Sequence, residues 1–219
     1  MFKLIVFDCD GVLFEDVKIW MQIHNIYGTL KEGEILTKRY LDVDYETLVK
    51  KVVSTLWKGK DASKYYELID NVNYMIGISD LMSYVDKNFK TKAIISAGSL
   101  DLVKRAQRDF GFNYIFANEL VIKENIITGD FVATIKNGDQ YKSEVLHSLC
   151  KELNITLNEV IYIGDTHRDS HIFQEVGLPI AFNCNDEHLL KYAKEVVNSA
   201  DLRDLIPVLE KYLVVRGLC

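Results

Sequence analysis

Five short apolar runs, Lys3 to Asp8, Lys92 to Ser96, Tyr114 to Ala117, Val160 to Gly164 and Leu178 to Phe182, are mostly β-branched or aromatic and are bounded by turn residues. A run that is apolar on both faces of the pleat reads as a strand buried on both sides, as in a parallel sheet covered by helices. The intervals supply those helices, with apolar residues spaced by three and four through Ile78 to Phe89, Leu100 to Phe110, Ser143 to Leu153, Arg168 to Val176, Glu187 to Lys194 and Leu202 to Leu213. Strand alternating with helix implies a three-layer α/β sandwich with right-handed crossovers. Two segments break the alternation. Residues 15–76 follow the first strand with helical patterns only, such as Tyr45 to Val53 and Tyr65 to Ile69, and read as a small helical cap on a core formed by 1–14 and 77–219. Glu119 to Lys123 and Asp130 to Ile135 flank Asn125 and Thr128-Gly129 with apolar alternation, which suggests a β-hairpin beside the sheet.

A chain of 219 residues buries about 70% of its unfolded surface without a structural metal or disulfide, so its unusual polar residues need not be explained by stability. Its 26 basic and 32 acidic residues leave a net charge of −6, which argues against a nucleic-acid groove and against an anionic membrane surface, since both select clustered Lys and Arg. Cys9, Cys150, Cys184 and Cys219 are far apart and form no CxxC pair, so they read as free thiols in a reducing compartment, the cytoplasm. No apolar run approaches the about 20 residues of a membrane span, and the opening run is too short and too soon acidic for a signal segment.

In open α/β sheets ligands bind beyond the carboxyl ends of the strands, and here those ends are polar. The first strand closes in Asp8-Cys9-Asp10-Gly11-Val12, where the pleat sends Asp8 and Asp10 to one side and Cys9 to the other. Two carboxylates in one small volume suit acid/base work or a hard divalent metal, while Asp-x-Asp-Gly by itself is equally ordinary turn chemistry. The second run closes in Ser96-Ala97-Gly98-Ser99 before a helix, a place to seat a phosphate on backbone N–H groups or simply to cap that helix. The fourth closes in Gly164-Asp165-Thr166-His167-Arg168-Asp169, in which Asp169 alone would pass for a helix cap. Lys142 opens the preceding helix and alone reads as a solvated surface lysine. Taken together, an acid pair, a hydroxyl, a lysine and a second acid pair facing one crevice are the parts of magnesium-dependent phosphoryl transfer.

In this order the residues resemble the haloacid dehalogenase superfamily of phosphatases and phosphotransferases. Asp8-Cys9-Asp10-Gly11-Val12 matches its first motif, Ser96 the second, Lys142 the third and Gly164 to Asp169 the fourth. The segment from Ala93 to Gly129 and a short helical cap after the first motif are similar to the phosphoserine phosphatase-like branch. The resemblance implies a Rossmann-like core with a C1-type cap, and Mg2+ as cofactor. It implies that Asp8 attacks phosphorus and becomes an aspartyl phosphate. Asp10 would act as general acid and then base, with a pKa raised towards working pH. Ser96, Ala97 and Lys142 would hold the phosphoryl oxygens, and Asp8, the Asp10 carbonyl, Asp165 and Asp169 would hold the metal.

The departures concern substrate. Where that branch carries a Glu nine residues after the nucleophile to grip the substrate amino group, this chain has Val17, preceded by Glu15 and Asp16; where its fourth motif has Asn, this chain has Arg168. Glu15, Asp16 and Arg168 are thus the candidate substrate-facing groups, with Lys31, Lys38, Arg39 and Lys58 of the cap available to a substrate carboxylate. The leading expectation is a phosphomonoesterase acting on a small phosphorylated metabolite, phosphoserine first, as a monomer or homodimer. A phosphotransferase shares the first half-reaction. A phospho-Asp signalling receiver is disfavoured by the long helical insertion and by the second acid of the first motif, and a silent binding protein by the retention of every chemical group.

Overall fold

The computed structural model describes residues 1–136 and 140–214. One seven-stranded sheet runs through the molecule in the order β4-β3-β2-β1-β5-β6-β7. Its strands are β1 Leu4–Phe7, β2 Thr91–Ser99, β3 Tyr114–Lys123, β4 Ile126–Val132, β5 Val160–Gly164, β6 Leu178–Phe182 and β7 Glu195–Val197. All neighbours pair in parallel except β3 and β4. The helices are α1 Ile19–Ile26, α2 Leu30–Tyr40, α3 Tyr45–Lys51, α4 Ser63–Asn71, α5 Ile78–Asn88, α6 Leu100–Phe110, α7 Gln140–Leu153, α8 Ser170–Glu175, α9 Glu187–Leu190 and α10 Leu205–Val214.

The pleat sorts each central strand between two cores. Ile5, Phe7, Ile94, Ile161 and Ile163 pack with Leu81 and Val85 of α5, Leu102 and Val103 of α6 and Leu209 of α10. Leu4, Val6, Ala93, Ile95, Val160 and Tyr162 pack on the opposite face with Leu146 and Leu149 of α7, Phe173 of α8 and Leu189 of α9. Each large apolar side chain fully buried in this way contributes about 1.5–3 kcal/mol, so the three-layer order follows from continuous apolar strands that require cover on both faces.

Helices α1 to α4 lie between β1 and α5. A π-helical stretch, Val52–Trp57, prolongs α3, and beyond it the chain bonds to β4: the Gly59 N–H donates to Ile127 O (2.8 Å) and the Ile127 N–H to Lys60 O (3.0 Å). The hairpin therefore braces the helical insertion. Its form differs from expectation. β3 runs unbroken to Lys123, and the reversal is at Glu124-Asn125, both with positive φ, the two-residue turn whose twist suits a hairpin. Thr128-Gly129 sits within β4, where the register with β3 slips. Strand β7 was not expected, because three residues carry no readable period, and only the first turn of the stretch Glu187 to Lys194 is helical.

Cys9, Cys150 and Cys184 are buried free thiols; Cys219 lies outside the described residues. Among the described residues, no helix is long and apolar enough to cross a membrane.

Candidate active site

The chain leaves β1 in one direction across the sheet through β2 and β3, and later returns on its other side through β5 and β6. A crevice opens at such a switch point, beyond the carboxyl ends of the central strands. Asp8 is the first residue past β1. Its N–H donates to Ile163 O at 2.9 Å, and its Oδ1 accepts from the Cys9 N–H at 2.7 Å. The chain then turns tightly, with the N–H groups of Leu13 and Phe14 both donating to Cys9 O (2.9 and 3.0 Å). Gly11 makes this possible: its φ is +78°, and a Cβ there would stand 2.2 Å from Asp165 Oδ2. As the alternation requires, Asp8 and Asp10 both line the crevice, while Cys9 turns into the core.

Lys142, on the first turn of α7, is the centre of the polar network. Its ammonium donates to Asp8 Oδ2 at 2.6 Å and to Asp169 Oδ1 at 2.7 Å, with 3% of its side chain exposed. Asp169 is fully buried and also accepts from the Tyr162 hydroxyl (2.9 Å) and from the Asp165 N–H (3.2 Å). Gly164 leaves the room for it, since a Cβ there would lie 2.4 Å from Asp169 Oδ2.

The third wall is a bulge. Between the pairs Ile95–Phe116 and Ser99–Asn118, β2 carries two more residues than β3, which takes Ser96-Ala97-Gly98 out of the ladder beside the acids. Ser96 Oγ accepts from the Gly98 N–H at 3.1 Å. Ala97 O is held by Asn118 Nδ2 and by the Trp20 indole N–H of α1, each at 3.0 Å. Gly98 is wedged against Asp10, where a Cβ would stand 2.6 Å from Oδ2.

Charge is concentrated here. Burial pushes the Asp8 carboxyl up, and Lys142 pulls it back. Burial, then the neighbouring Asp8 and Asp16, raise Asp10 to about 7. Burial, then Asp8 and Asp169, raise Asp165 to about 9. Burial alone would lower the Lys142 ammonium, but Asp169 and Asp8 outweigh it and hold it above the usual lysine range. Cys9, buried beside Asp10 and Asp8, stays a thiol. Asp8, Asp165 and Asp169 bring one carboxylate oxygen each within 4.8 Å of one another, and Asp165 Oδ1 and Asp10 Oδ1 are buried without a hydrogen-bond partner among the described residues. An all-oxygen set with too much negative charge and an unpartnered oxygen fits a hard divalent cation.

Asp8, Asp10, Asp16, Ser96, Ala97, Lys142, Asp165 and Arg168 therefore face one cavity, and Asp169 is held by Lys142. Glu15 does not join them: it is exposed, accepts from Asn73 Nδ2 (3.2 Å) and faces a separate groove. Lys31, Lys38, Arg39 and Lys58 are also absent from the cavity lining, whereas Lys18 and Lys136 are part of it. Sequence reasoning passed over Tyr162 and Asn118, which hold Asp169 and the bulge. Each is a polar group inside an apolar strand run, and a buried polar tip of that kind needs a partner.

The model of the haloacid dehalogenase-like hydrolases matches residues 12–204. The phosphoserine phosphatase of Campylobacter jejuni subsp. doylei is 32% identical over 95% of this chain and 100% of that protein. The one from Methanocaldococcus jannaschii is 28% identical over 93% of this chain and 96% of that protein. A solved structure described as a phospho-aspartyl intermediate analogue of phosphoserine phosphatase superposes with a TM-score of 0.78 at 27% identity, over 94% of this chain and 98% of that one. With the sheet order, the acid cluster at its switch point and these likenesses in agreement, the chain belongs to the haloacid dehalogenase-like hydrolases.

Proposed function

We propose that the protein is a magnesium-dependent phosphomonoester hydrolase that works through an aspartyl phosphate on a small phosphorylated metabolite, phosphoserine being the first substrate to test. The observation that carries this reading is Lys142, whose ammonium binds both Asp8 and Asp169 at the switch point, beside two further carboxylates with buried unpartnered oxygens. The relatives named phosphoserine phosphatases support the choice of first substrate.

In this mechanism an Asp8 carboxylate oxygen attacks phosphorus while the bond from phosphorus to the ester oxygen breaks. Asp10 donates its proton to the departing alkoxide. Water then enters; Asp10 takes one of its protons, the hydroxide attacks phosphorus, and the bond to Asp8 breaks to release inorganic phosphate. Lys142, Ser96 and the backbone at Ala97 bind the transferring oxygens and offset the charge that develops on them. Asp8, the Asp10 carbonyl, Asp165 and Asp169 would hold magnesium, which when bound supplies charge neutralisation at the phosphoryl group. Residues 15–76 act as a cap on the core formed by 1–14 and 77–219, and exclude water from the crevice. A cytoplasmic setting suits the free thiols Cys9, Cys150 and Cys184.

The test is inorganic phosphate release from phosphoserine and other small esters, with magnesium and with chelator, using Asp8→Asn as control. Magnesium-dependent release from the wild type alone is the expected result. Equal release by Asp8→Asn would remove the nucleophile from the scheme, and no release from any ester by folded protein would remove the activity.

A further inference from the structure

The floor of the cavity is ionic, and although Asp16, Lys18, Lys136 and Arg168 also border it, a broad part of its wall is apolar. The space measures about 440 Å3, within the roughly 300–1,000 Å3 of pockets that enclose a drug-sized ligand. That is far more than a phosphoryl group with a short polar alcohol needs. Above the acids it is lined by Ile19, Leu48, Val49, Val52, Val53 and Phe131, with Trp20 and Trp57 stacked on one another at 6.4 Å. The wall is built by an uncommon backbone. The Lys58 N–H donates to Val53 O (2.9 Å), five residues back, in the π-helical stretch that presents Val52, Val53 and Trp57 to the cavity. Such stretches are rare and concentrate at functional sites. Trp57 is 2% exposed, so its ring is part of the packed wall rather than of the open surface.

Resting on the phosphatase reading above, we propose that this cavity is the leaving-group site and that the preferred substrates are phosphate monoesters of alcohols with an extended apolar tail. The phosphoryl group sits at Asp8, Ser96 and Lys142, and the tail lies against the π-helical wall and α3. Recognition is by apolar burial, so selectivity follows chain length rather than a charged headgroup.

A series of primary alkyl phosphates, ethyl, butyl, hexyl and octyl, tests this with the magnesium-loaded enzyme, because leaving-group chemistry is nearly constant along it. Burial of each methylene is expected to raise kcat/KM about fourfold until the cavity is full, and hexyl phosphate is expected to exceed phosphoserine. A flat or falling series, or phosphoserine above every alkyl ester, would overturn the tail site while leaving the phosphatase reading intact; no turnover of any ester would overturn both. Binding gives a readout without turnover. The chain has two tryptophans, and both line the cavity, so hexylphosphonate is expected to shift their fluorescence at concentrations where methylphosphonate does not; an identical response to the two would count against the site. Val53→Trp, which fills the wall, is expected to lower the hexyl-to-ethyl ratio at least tenfold, and an unchanged ratio would exclude that wall.

Discussion

The crevice at the end of the sheet and the helical insertion above it enclose one cavity with opposite chemistries. In the crevice, Lys142, Asp8, Asp169 and Tyr162 are tied by hydrogen bonds of 2.6–2.9 Å, and three glycines, Gly11, Gly98 and Gly164, leave no space for a Cβ beside the acids. In the insertion the cavity wall is largely aliphatic and aromatic, with Asp16, Lys18 and His24 among it, and polar ties to the core lie away from the acids. Tyr65 of α4 binds Ser99 Oγ (2.6 Å) and Asp101 Oδ2 (2.8 Å). Arg105 of α6 donates to Ile69 O and Val72 O, both at 2.7 Å, and covers the rings of Phe14 and Tyr74. The difference teaches a division of labour. Directional bonds hold the acids and Lys142 in one arrangement, whereas non-directional apolar contact shapes the space beside them.

That division can be broken from the crevice side first. Asp8→Asn is expected to reduce turnover by at least about 10³-fold by removing the proposed nucleophile, with urea unfolding close to wild type because Lys142 keeps Asp169. Asp10→Asn follows, with a loss of about 10²–10⁴-fold expected for a lost acid/base group, read in the same phosphate-release assay. Gly98→Ala keeps every reacting group, yet its methyl must displace Asp10 or the bulge. A loss of about 10²-fold is expected from misplacement alone, and wild-type activity would show that the tight packing is not needed.

On the side of the helical insertion the effects fall on stability. Arg105→Ala leaves two carbonyls without their donor and exposes two rings, and is expected to cost about 2–3 kcal/mol, measured as a lower urea midpoint. The smallest effect concerns His24 of α1, which is 2% exposed, bonded to Thr29 Oγ1 at 2.8 Å and packed on Trp57. Burial holds its pKa below the ordinary 6.5. The unfolded chain therefore binds the proton more readily, so stability is complete above about pH 6.5 and falls as the pH drops through and below it. Urea midpoints at pH 7.5 and 5.5 should show this, with a smaller drop in His24→Gln.

The parts legible in the sequence are those written as local pattern. β1, β2, β5 and β6 were read from runs apolar on both faces, and the polar strand ends pointed to Asp8, Asp10, Ser96, Asp165 and Asp169, because open parallel sheets place ligands there. The hairpin was seen but misplaced, since the left-handed turn fell on Glu124, a residue with no special liking for it. The three residues of β7 were invisible because their pairing with β6 lies outside their own sequence.

What the residues alone determined, then, is a three-layer α/β chain with acids, a hydroxyl and a lysine in an order that matches a known family. Periodicity and strand-end chemistry are properties of neighbouring residues. Only the tertiary structure decided which groups meet: Lys142 with Asp8 and Asp169 across 134 and 27 residues of chain, Asn118 with the bulge, Glu15 outside the crevice, and an aromatic wall over the acids. Such contacts depend on packing and crossover geometry, where each neighbour's position is set by every other element, and a local pattern does not encode them.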